Sequence, residues 1–353
     1  TLVSAVLEHV PGIWFGVRAS ARTAMECSPT VGPAICYDRG MLRIVPFILL
    51  AAAAVADDIH VFSHPAMGSE FEVRIVASHE VAEEAAAEVF ELIDALEEEI
   101  SSWRETSYTT YVNRHAAEAP VRVSPNVLEL FSESKKLSEQ SFGAFDPTIG
   151  PLLDVWKIRS GGETPSDDAI AVALDRVGMG HIHINEPDST IAYDREGVWV
   201  DWGAVGKGYA LDRIAKRFRD HGIESALLSA GTSTIIALNP PPGDAGWAVP
   251  VPTASASAAS GIVHLANAAL STSVCFESAM GPCDILDPRS GRAVSVASSA
   301  TVIAETGLAA DALSTALLVM RRDEAERFFA DYLDIRARRI AAGGTPETYN
   351  WND

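Results

Sequence analysis

Residues 201–212 read DWGAVGKGYALD and place three glycines, a lysine and two flanking aspartates in a segment of twelve residues. The apolar segment before it, 197–200 (GVWV), predicts a β-strand, and the periodicity of 209–218 predicts an amphipathic helix. A glycine-rich turn between a strand and a helix exposes backbone N–H groups at the helix N-terminus, where phosphate binds readily. Lys207 adds a positive charge there. The segment therefore predicts either a phosphate-binding turn or a tight βα turn with a surface lysine.

Two common nucleotide-binding motifs are excluded for this turn. A Walker A loop has Ser or Thr directly after its lysine, and here Gly208 follows Lys207. A dinucleotide-binding GxGxxG fingerprint is also excluded, because the spacing from Gly203 through Gly206 to Gly208 runs in the reverse order.

An export signal is predicted close to the N-terminus. Residues 41–56 read MLRIVPFILLAAAAVA, in which Arg43 precedes an apolar run too short to span a bilayer and an Ala-Val-Ala cleavage site follows. This pattern predicts a signal peptide and a mature chain that starts at Asp57, although a buried N-terminal helix is an alternative. We expect residues 1–40 to be an upstream translation artefact or a disordered extension that is not part of the native protein. Because no cysteine follows the apolar run, no lipid anchor is expected there.

The charge of the chain limits its partners. Its 353 residues carry a formal net charge of −21, which argues against nonspecific binding to nucleic acid and against charge-driven docking on anionic lipid. The acidity fits a secreted or periplasmic enzyme. No second hydrophobic span is present, so we expect no transmembrane segment in the mature chain. Cys275 and Cys283 could pair in an oxidising compartment or stay as two buried thiols, and no CxxC or His/Cys cluster indicates zinc.

The hydrophobic periodicity predicts an α+β protein. Phe71, Val73 and Ile75 alternate with polar residues, as in a half-buried strand. Further strands are predicted at 225–228, 234–238, 247–251, 261–265 and 298–303, and helices at 81–100, 125–141, 309–320 and 324–340. Strands and helices mix without strict alternation, which favours α+β over a doubly wound sheet. We expect one domain over 57–342 and an irregular tail over 343–353.

Short polar clusters stand between the apolar segments. They are Met67-Gly68-Ser69, Ser101-Ser102-Trp103, GAFDPT at 143–148, GPL at 150–152, Ser271-Thr272-Ser273, DPRSG at 287–291 and ADALST at 310–315. Each has a structural alternative. Asp146 and Asp287 precede prolines and could initiate turns, Asp311 could be a helix N-cap, and Trp103 could belong to the core.

Taken in this order, the clusters and the glycine-rich turn resemble the FAD:protein FMN transferases, also called the ApbE or thiamine-biosynthesis-lipoprotein family. The resemblance runs from about His64 to Met320. The DxGxxxKGxxxD, GAFDPTxGPL, LDPRSG and ADALSTA segments are together highly specific. The resemblance implies an ApbE-like fold of mixed, largely antiparallel sheets packed with helices.

The resemblance also implies an activity and a site. Such enzymes bind FAD and Mg²⁺ and transfer FMN to a threonine of an extracytoplasmic flavoprotein, releasing AMP. Asp311 and Thr315, four residues apart on a helix, and the backbone carbonyl of Ala204 are the implied Mg²⁺ ligands, and oxygen ligands are those this ion prefers. The implied flavin-nucleotide contacts are Met67, Trp103, Ala144, Phe145, Asp146, Asp201, Lys207 and Ile285.

This sequence departs from the family pattern around the acceptor or flavin side of the site. Asp284 stands where many members carry His, and we expect it either to act as the base toward the acceptor hydroxyl or to cap a turn. Thr232, Ser233 and Val274 also replace residues that are common in the family. Two other functions therefore remain open. One is a Mg²⁺-dependent FAD pyrophosphatase that yields FMN and AMP, and the other is a periplasmic flavin-binding protein without turnover.

Overall fold

The computed structural model describes residues 58–251, 261–275, 283–294, 298–341 and 344–351. The predicted signal peptide and the extension before it lie outside these residues, so both stay predictions. Within the described part of the chain, no helix has the length and apolar character needed to cross a bilayer.

The described residues form strands and helices in mixed order, which confirms the predicted α+β class. The strands are β1 (Asp58–Ala66), β2 (Ser69–Ala77), β3 (Val121–Arg122), β4 (Ile182–Asn185), β5 (Thr190–Tyr193), β6 (Ala226–Ala230), β7 (Thr234–Ala237), β8 (Trp247–Pro250), β9 (Ile262–Leu265), β10 (Ala268–Cys275), β11 (Ser298–Ala304), β12 (Arg336–Ala341) and β13 (Glu347–Tyr349). The helices are α1 (His79–Ile100), α2 (Tyr108–His115), α3 (Pro125–Gln140), α4 (Gly150–Val155), α5 (Asp167–Leu174), α6 (Gly206–Asp220), α7 (Gly307–Val319) and α8 (Arg322–Asp331).

Most strands of the described residues belong to one main sheet. Its eight strands run in the order β1-β2-β6-β7-β10-β11-β12-β13, and each neighbouring pair is antiparallel. Smaller antiparallel sheets are formed by β3-β5-β4 and by β8-β9. The predicted, largely antiparallel architecture is therefore observed.

Helices α1, α6 and α7 pack against the main sheet and enclose the largest hydrophobic core. On β2, Phe71, Val73 and Ile75 are fully buried, as their alternation predicts. Most residues of α7 are buried, including the polar Asp311 and Ser314. Buried polar groups need hydrogen-bond partners, so this central helix is where a polar site inside the core can form.

The segment 197–200, predicted as a strand, is not one. Val198 and Val200 are buried, as the apolar pattern predicts, but no strand among the described residues pairs with them. The side chain of Asn113 takes that role, because its Oδ1 accepts from the Val200 N–H at 2.9 Å and its Nδ2 donates to the Val200 carbonyl at 3.0 Å. A side-chain amide satisfies the backbone groups that would otherwise join a ladder.

The predicted helix over 324–340 is also wrong in its second half. Helix α8 ends at Asp331, and Arg336–Ala341 forms β12 beside β11. The side chain of Asn350 donates to the carbonyls of Phe329, Tyr332 and Ile335 at 2.8–3.1 Å. These contacts stabilise the turn after α8. The segment expected to be an irregular tail contains β13, which pairs with β12.

Asp212 fixes the start of α7. Its carboxylate accepts from the N–H groups of Gly307 and Leu308 at 2.7 and 2.8 Å, which satisfies donors that a helix N-terminus leaves unpaired. Burial raises the pKa of Asp212 to about 6, and the two backbone hydrogen bonds oppose the rise. Asp212, the last residue of the glycine-rich motif, therefore joins α6 to α7.

Because the pKa of Asp212 is raised, its contribution to the free energy of unfolding should depend on pH. The folded protein holds the Asp212 proton more tightly than the unfolded chain does, so the carboxyl favours the folded state below its unfolded pKa and loses this advantage as the pH rises through about 6. We expect Asp212→Asn to gain unfolding free energy, relative to the native sequence, between pH 4 and pH 7. Urea unfolding of both proteins across this range measures the difference, and a gap that stays flat or closes with rising pH would contradict it.

Candidate functional site

Asp311 is the centre of a buried polar cluster on α7. Its Oδ1 accepts hydrogen bonds from the hydroxyls of Thr234 and Ser271 at 3.1 and 2.9 Å. Its Oδ2 accepts from the Gly208 N–H of the glycine-rich turn at 3.1 Å. The carboxylate is therefore where β7, β10, α6 and α7 converge. The alternative that Asp311 is an N-cap is wrong, because Thr306 caps α7.

Further hydroxyls extend this Asp311 cluster toward Thr315. The Ser314 and Thr315 hydroxyls donate to the Asp311 carbonyl at 3.0 and 3.4 Å. Ser273 on β10 lies 2.8 Å from the Ser314 hydroxyl and 2.9 Å from that of Thr315. Asp311 and Thr315 lie one turn apart on α7, and the Thr315 hydroxyl contacts the backbone carbonyl of Asp311. The described residues contain no group of three or more His, Cys, Asp or Glu side chains arranged to bind a metal, so an ion here would depend on one carboxylate with uncharged oxygens.

Gly208 allows the close approach that creates the Asp311 contact. A Cβ atom at Gly208 would lie 2.1 Å from the Gly307 carbonyl oxygen and 2.9 Å from the Asp311 Cβ. Both distances are far inside van der Waals contact, so only glycine fits between α6 and α7. Gly206, two positions earlier, has its nearest such neighbour at 3.7 Å, in Trp202.

We therefore expect Gly208→Ala to lower the unfolding free energy by about 1–3 kcal/mol or more, the usual cost of overpacking. Chemical denaturation measures this loss. Gly206→Ala is the matched control in the same turn and should change stability much less. Equal effects of the two substitutions would contradict the close-packing role of Gly208.

The glycine-rich turn does not present all its N–H groups to a ligand. Gly203 donates to Asp201 Oδ1 at 2.8 Å, Gly206 to the Trp202 carbonyl at 2.7 Å, and Gly208 to Asp311. The expected cradle of glycine N–H groups is therefore wrong, since the protein uses these donors itself. Lys207 is half-buried and makes no ion pair with the described residues, which leaves its ammonium available to an anion.

Asp201 anchors the other end of the same turn. It is 7% exposed, and its Oδ2 accepts from the Ser102 hydroxyl at 2.7 Å and from Arg159 Nη2 at 2.8 Å. The guanidinium carbon of Arg159 lies 4.3 Å from the ring centroid of Trp103. Trp103 is 60% exposed, so the alternative that it belongs to the core is wrong.

The GAFDPT segment lies inside the protein, and its aspartate stabilises a turn. Ala144, Phe145 and Asp146 are all buried. Asp146 Oδ1 accepts from the Thr148 N–H and hydroxyl at 2.9 and 2.6 Å, and Oδ2 accepts from Met179 N–H at 2.9 Å. The turn-initiating alternative thus describes what the Asp146 side chain does in this structure.

Asp287 likewise initiates a turn. Its Oδ1 accepts from the Arg289 backbone N–H at 2.9 Å. The guanidinium of Arg289 in turn donates to the Glu324 carboxylate on α8 at 3.0 Å. The indole N–H of Trp156 donates to the Gly291 carbonyl at 2.8 Å. A Cβ at Gly291 would also lie 3.1 Å from the Leu152 side chain, so the DPRSG and GPL segments are in contact.

Met67 lies in a tight hairpin turn directly before β2. Met67 and Gly68 connect β1 to β2 with φ values of 49° and 67°, the left-handed pair that suits two-residue hairpins. A Cβ at Gly231 would lie 2.5 Å from the Ser69 hydroxyl. The hairpin therefore lies against the turn at Gly231 that connects β6 to β7.

Asp284 and Ile285 directly follow Cys283, which belongs to a disulfide. Cys275 and Cys283 are paired with a Cα–Cα distance of 5.6 Å, which is usual for a disulfide and decides between the two alternatives for these cysteines. The Asp284 side chain is accessible to solvent, yet the protein around it raises the pKa of this carboxyl by desolvation, and the charge of Lys207 opposes the rise. Ile285 is half-buried against the main core.

The structure thus gathers several predicted residues into one region and adds others. Ala204 and Lys207 lie in the glycine-rich turn, whose Gly208 contacts Asp311 on α7, and Thr315 lies one turn further along α7. Thr234, Ser314 and Arg159 were not predicted as site residues. Ser314 lies within the ADALSTA segment that resembles the family, which was the available signal. Thr234 directly follows Thr232 and Ser233, where the sequence departs from the family pattern, and Arg159 lies in a loop without a motif.

The fold is that of flavin transferases of known structure. The Pseudomonas stutzeri flavinyl transferase ApbE is similar with a TM-score of 0.71 at 27% identity, covering 83% of this chain and 96% of that one. The ApbE protein from Thermotoga maritima has a TM-score of 0.75 at 24% identity, covering 84% of this chain and all of that one, which supports the fold.

Sequence comparison gives the family. The pattern of the ApbE family matches residues 67–338, and the chain belongs to this family, as the motifs predict. The FAD:protein FMN transferase of Klebsiella pneumoniae (strain 342) is 28% identical over 289 residues, covering 78% of this chain and 82% of the relative. A second protein of that name from the same strain is 30% identical over 271 residues, covering 74% and 83%.

Proposed function

We propose that this protein transfers FMN from FAD to a threonine of an extracytoplasmic flavoprotein, with Mg²⁺ as cofactor and AMP as the other product. Family membership and relatives named FAD:protein FMN transferase support the reaction. The observation on this chain that supports the proposal is the buried Asp311 carboxylate, which accepts a hydrogen bond from the glycine-rich turn.

The oxygens around Asp311 fit a magnesium ion. Each carboxylate oxygen has two lone pairs, and Oδ1 accepts two hydroxyl hydrogen bonds while Oδ2 accepts one from Gly208. Oδ2 therefore retains the capacity to bind a cation on the side of the glycine-rich turn. With Thr315 Oγ1 and the Ala204 carbonyl, it would give an all-oxygen donor set, and Mg²⁺ completes such sets with waters and phosphates.

A bound Mg²⁺ would neutralise charge on the pyrophosphate of FAD. The chain itself would supply Lys207 as a second positive charge toward that pyrophosphate. The implied flavin-nucleotide contacts, from Met67 to Ile285, would orient the two halves of FAD. In the transfer, the acceptor threonine oxygen bonds to the phosphorus of the FMN half, the bond from this phosphorus to the bridging oxygen breaks, and AMP leaves.

Asp284 is the proposed acceptor of the threonine proton. It is accessible to solvent, and its pKa is raised by desolvation, which brings a carboxylate closer to the neutral range where a general base works best. The proposed location, outside the cytoplasm, rests on the signal-peptide pattern of residues 41–56.

The metal role of Asp311 can be tested by removing its charge. Asp311→Asn keeps an oxygen for the Thr234 and Ser271 hydroxyls but loses the only anionic ligand, so we expect Mg²⁺ affinity to fall at least roughly 10- to 100-fold, the range seen when outer-shell partners of a metal are lost. Titration of AMP release against Mg²⁺ measures it. Thr315→Val should show a smaller defect of the same kind, and Thr315→Ser, which keeps the hydroxyl, is its control. Unchanged turnover of Asp311→Asn at limiting Mg²⁺ would show that the metal lies elsewhere.

The base role of Asp284 predicts a loss of turnover without a loss of FAD affinity. Asp284→Asn cannot take a proton, so we expect transfer to fall roughly 100-fold or more and the FAD dissociation constant to stay the same. In the native protein, transfer should rise with pH through the raised pKa of Asp284, since the deprotonated form is the base. Asp284→His should retain transfer and titrate near about 6.5. An Asn variant with native acceptor labelling would leave Asp284 only its turn-capping role.

One incubation distinguishes this proposal from its alternatives. The chain from Asp57 onward is mixed with FAD, Mg²⁺ and a candidate acceptor domain, and both AMP and covalently fluorescent acceptor are measured. AMP with label supports the transferase. AMP without label on any of several acceptors indicates the pyrophosphatase, and neither product indicates a flavin-binding protein.

A further inference from the structure

Arg159 is the charged side chain beside the site that the proposed chemistry leaves without a role. It lies in the 3₁₀ turn Ile158–Ser160. Its guanidinium carbon lies 4.3 Å from the ring centroid of Trp103 and 4.9 Å from that of Trp199. Its Nη2 donates to Asp201 Oδ2 at 2.8 Å. Arg159 thus contacts two indoles and a buried carboxylate at once.

Asp201, the carboxylate that binds Arg159, is linked to Trp103 by two routes. Asp201, which accepts from Arg159, also accepts from the hydroxyl of Ser102, the residue directly before Trp103. The ring of Trp103, through Arg159, and its chain neighbour Ser102 are therefore both linked to the Asp201 carboxylate. Trp103 is held from its side chain and from its chain neighbour.

The second indole, Trp199, is closely packed. A Cβ at Gly150 would lie 2.1 Å from its ring, so the indole lies directly against the backbone at the start of α4. Arg159 therefore lies between the packed indole of Trp199 and the indole of Trp103, which is in a loop and is 60% exposed. Because the planar guanidinium stacks on both rings, the packed ring of Trp199 can restrict the movement of Trp103 through Arg159.

We propose that Arg159 is a positioning residue that holds Trp103 as a preformed stacking surface for an aromatic ring of FAD. This inference rests on the proposed function, since it takes FAD as the ligand. A surface indole that is ordered before binding loses less conformational freedom when the ligand stacks on it, and the saved entropy appears as affinity. The cation–π contact contributes the ordering, and arginine gives it more often than lysine.

A double-mutant cycle on FAD affinity tests the proposal. We expect Arg159→Met to raise the FAD dissociation constant about 5- to 10-fold in the native background, in line with one partly desolvated cation–π contact. In the Trp103→Ala background the same substitution should change it less than about twofold, because the residue through which Arg159 acts is absent. FAD fluorescence quenching by the protein measures the four constants.

Two further variants distinguish stacking from charge. Arg159→Lys keeps a positive charge for Asp201 but lacks the planar group, so its loss of affinity should resemble that of Arg159→Met. Arg338→Met is the matched control, since Arg338 lies 4.9 Å from the ring centroid of Trp351, and should leave FAD affinity unchanged. Thermal melting confirms that each variant is folded.

The proposal is overturned if Arg159→Met has the same effect with and without Trp103, if Arg159→Lys restores native affinity, or if neither variant changes FAD binding. These measurements concern binding alone. A protein that shows the expected coupling but releases no AMP would contradict the proposed function and leave the role of Arg159 intact.

Discussion

The hydrogen bond from the Gly208 N–H to Asp311 Oδ2 is the contact on which the rest of the site depends. It requires α6 and α7 to approach so closely that no side chain fits at Gly208. The approach places an ionisable carboxylate inside a hydrophobic core, which is costly unless hydrogen bonds compensate. Thr234 and Ser271 supply those bonds to one oxygen, and the other oxygen keeps spare capacity toward the glycine-rich turn.

The glycine-rich turn is held by a carboxylate at each end. Asp201 binds the Gly203 N–H, Asp311 binds the Gly208 N–H, and Lys207 lies between them. Asp212 then fixes the first turn of α7 through Gly307 and Leu308. A motif that suggests free phosphate-binding N–H groups is thus used to fix the backbone, and its lysine and carbonyl groups are what remain for a ligand.

More of the candidate site than of the fold could be predicted from the sequence. Asp311 and Thr315 could be placed together because their spacing is a helical one and α7 is strongly apolar, and the resemblance covered the turn that meets them. Arg159 could not be predicted, since its partners Trp103 and Asp201 are distant in sequence and its own loop has no motif. The end of α8 was missed for a similar reason, because the Asn350 side chain that stabilises the turn is far along the chain.

Asp311 Oδ2, which accepts a single hydrogen bond from the described residues, is the proposed ligand of the divalent ion in a flavin-nucleotide site. A crystal of the chain from Asp57 onward, grown with AMP and Mn²⁺ in place of Mg²⁺, tests this directly, because Mn²⁺ accepts the same octahedral oxygen ligands and gives an anomalous signal. The account predicts one anomalous peak within about 2–2.3 Å of Asp311 Oδ2 and of Thr315 Oγ1, at the distances typical of such ions. A strong peak elsewhere in the protein, with none beside Asp311, would contradict it.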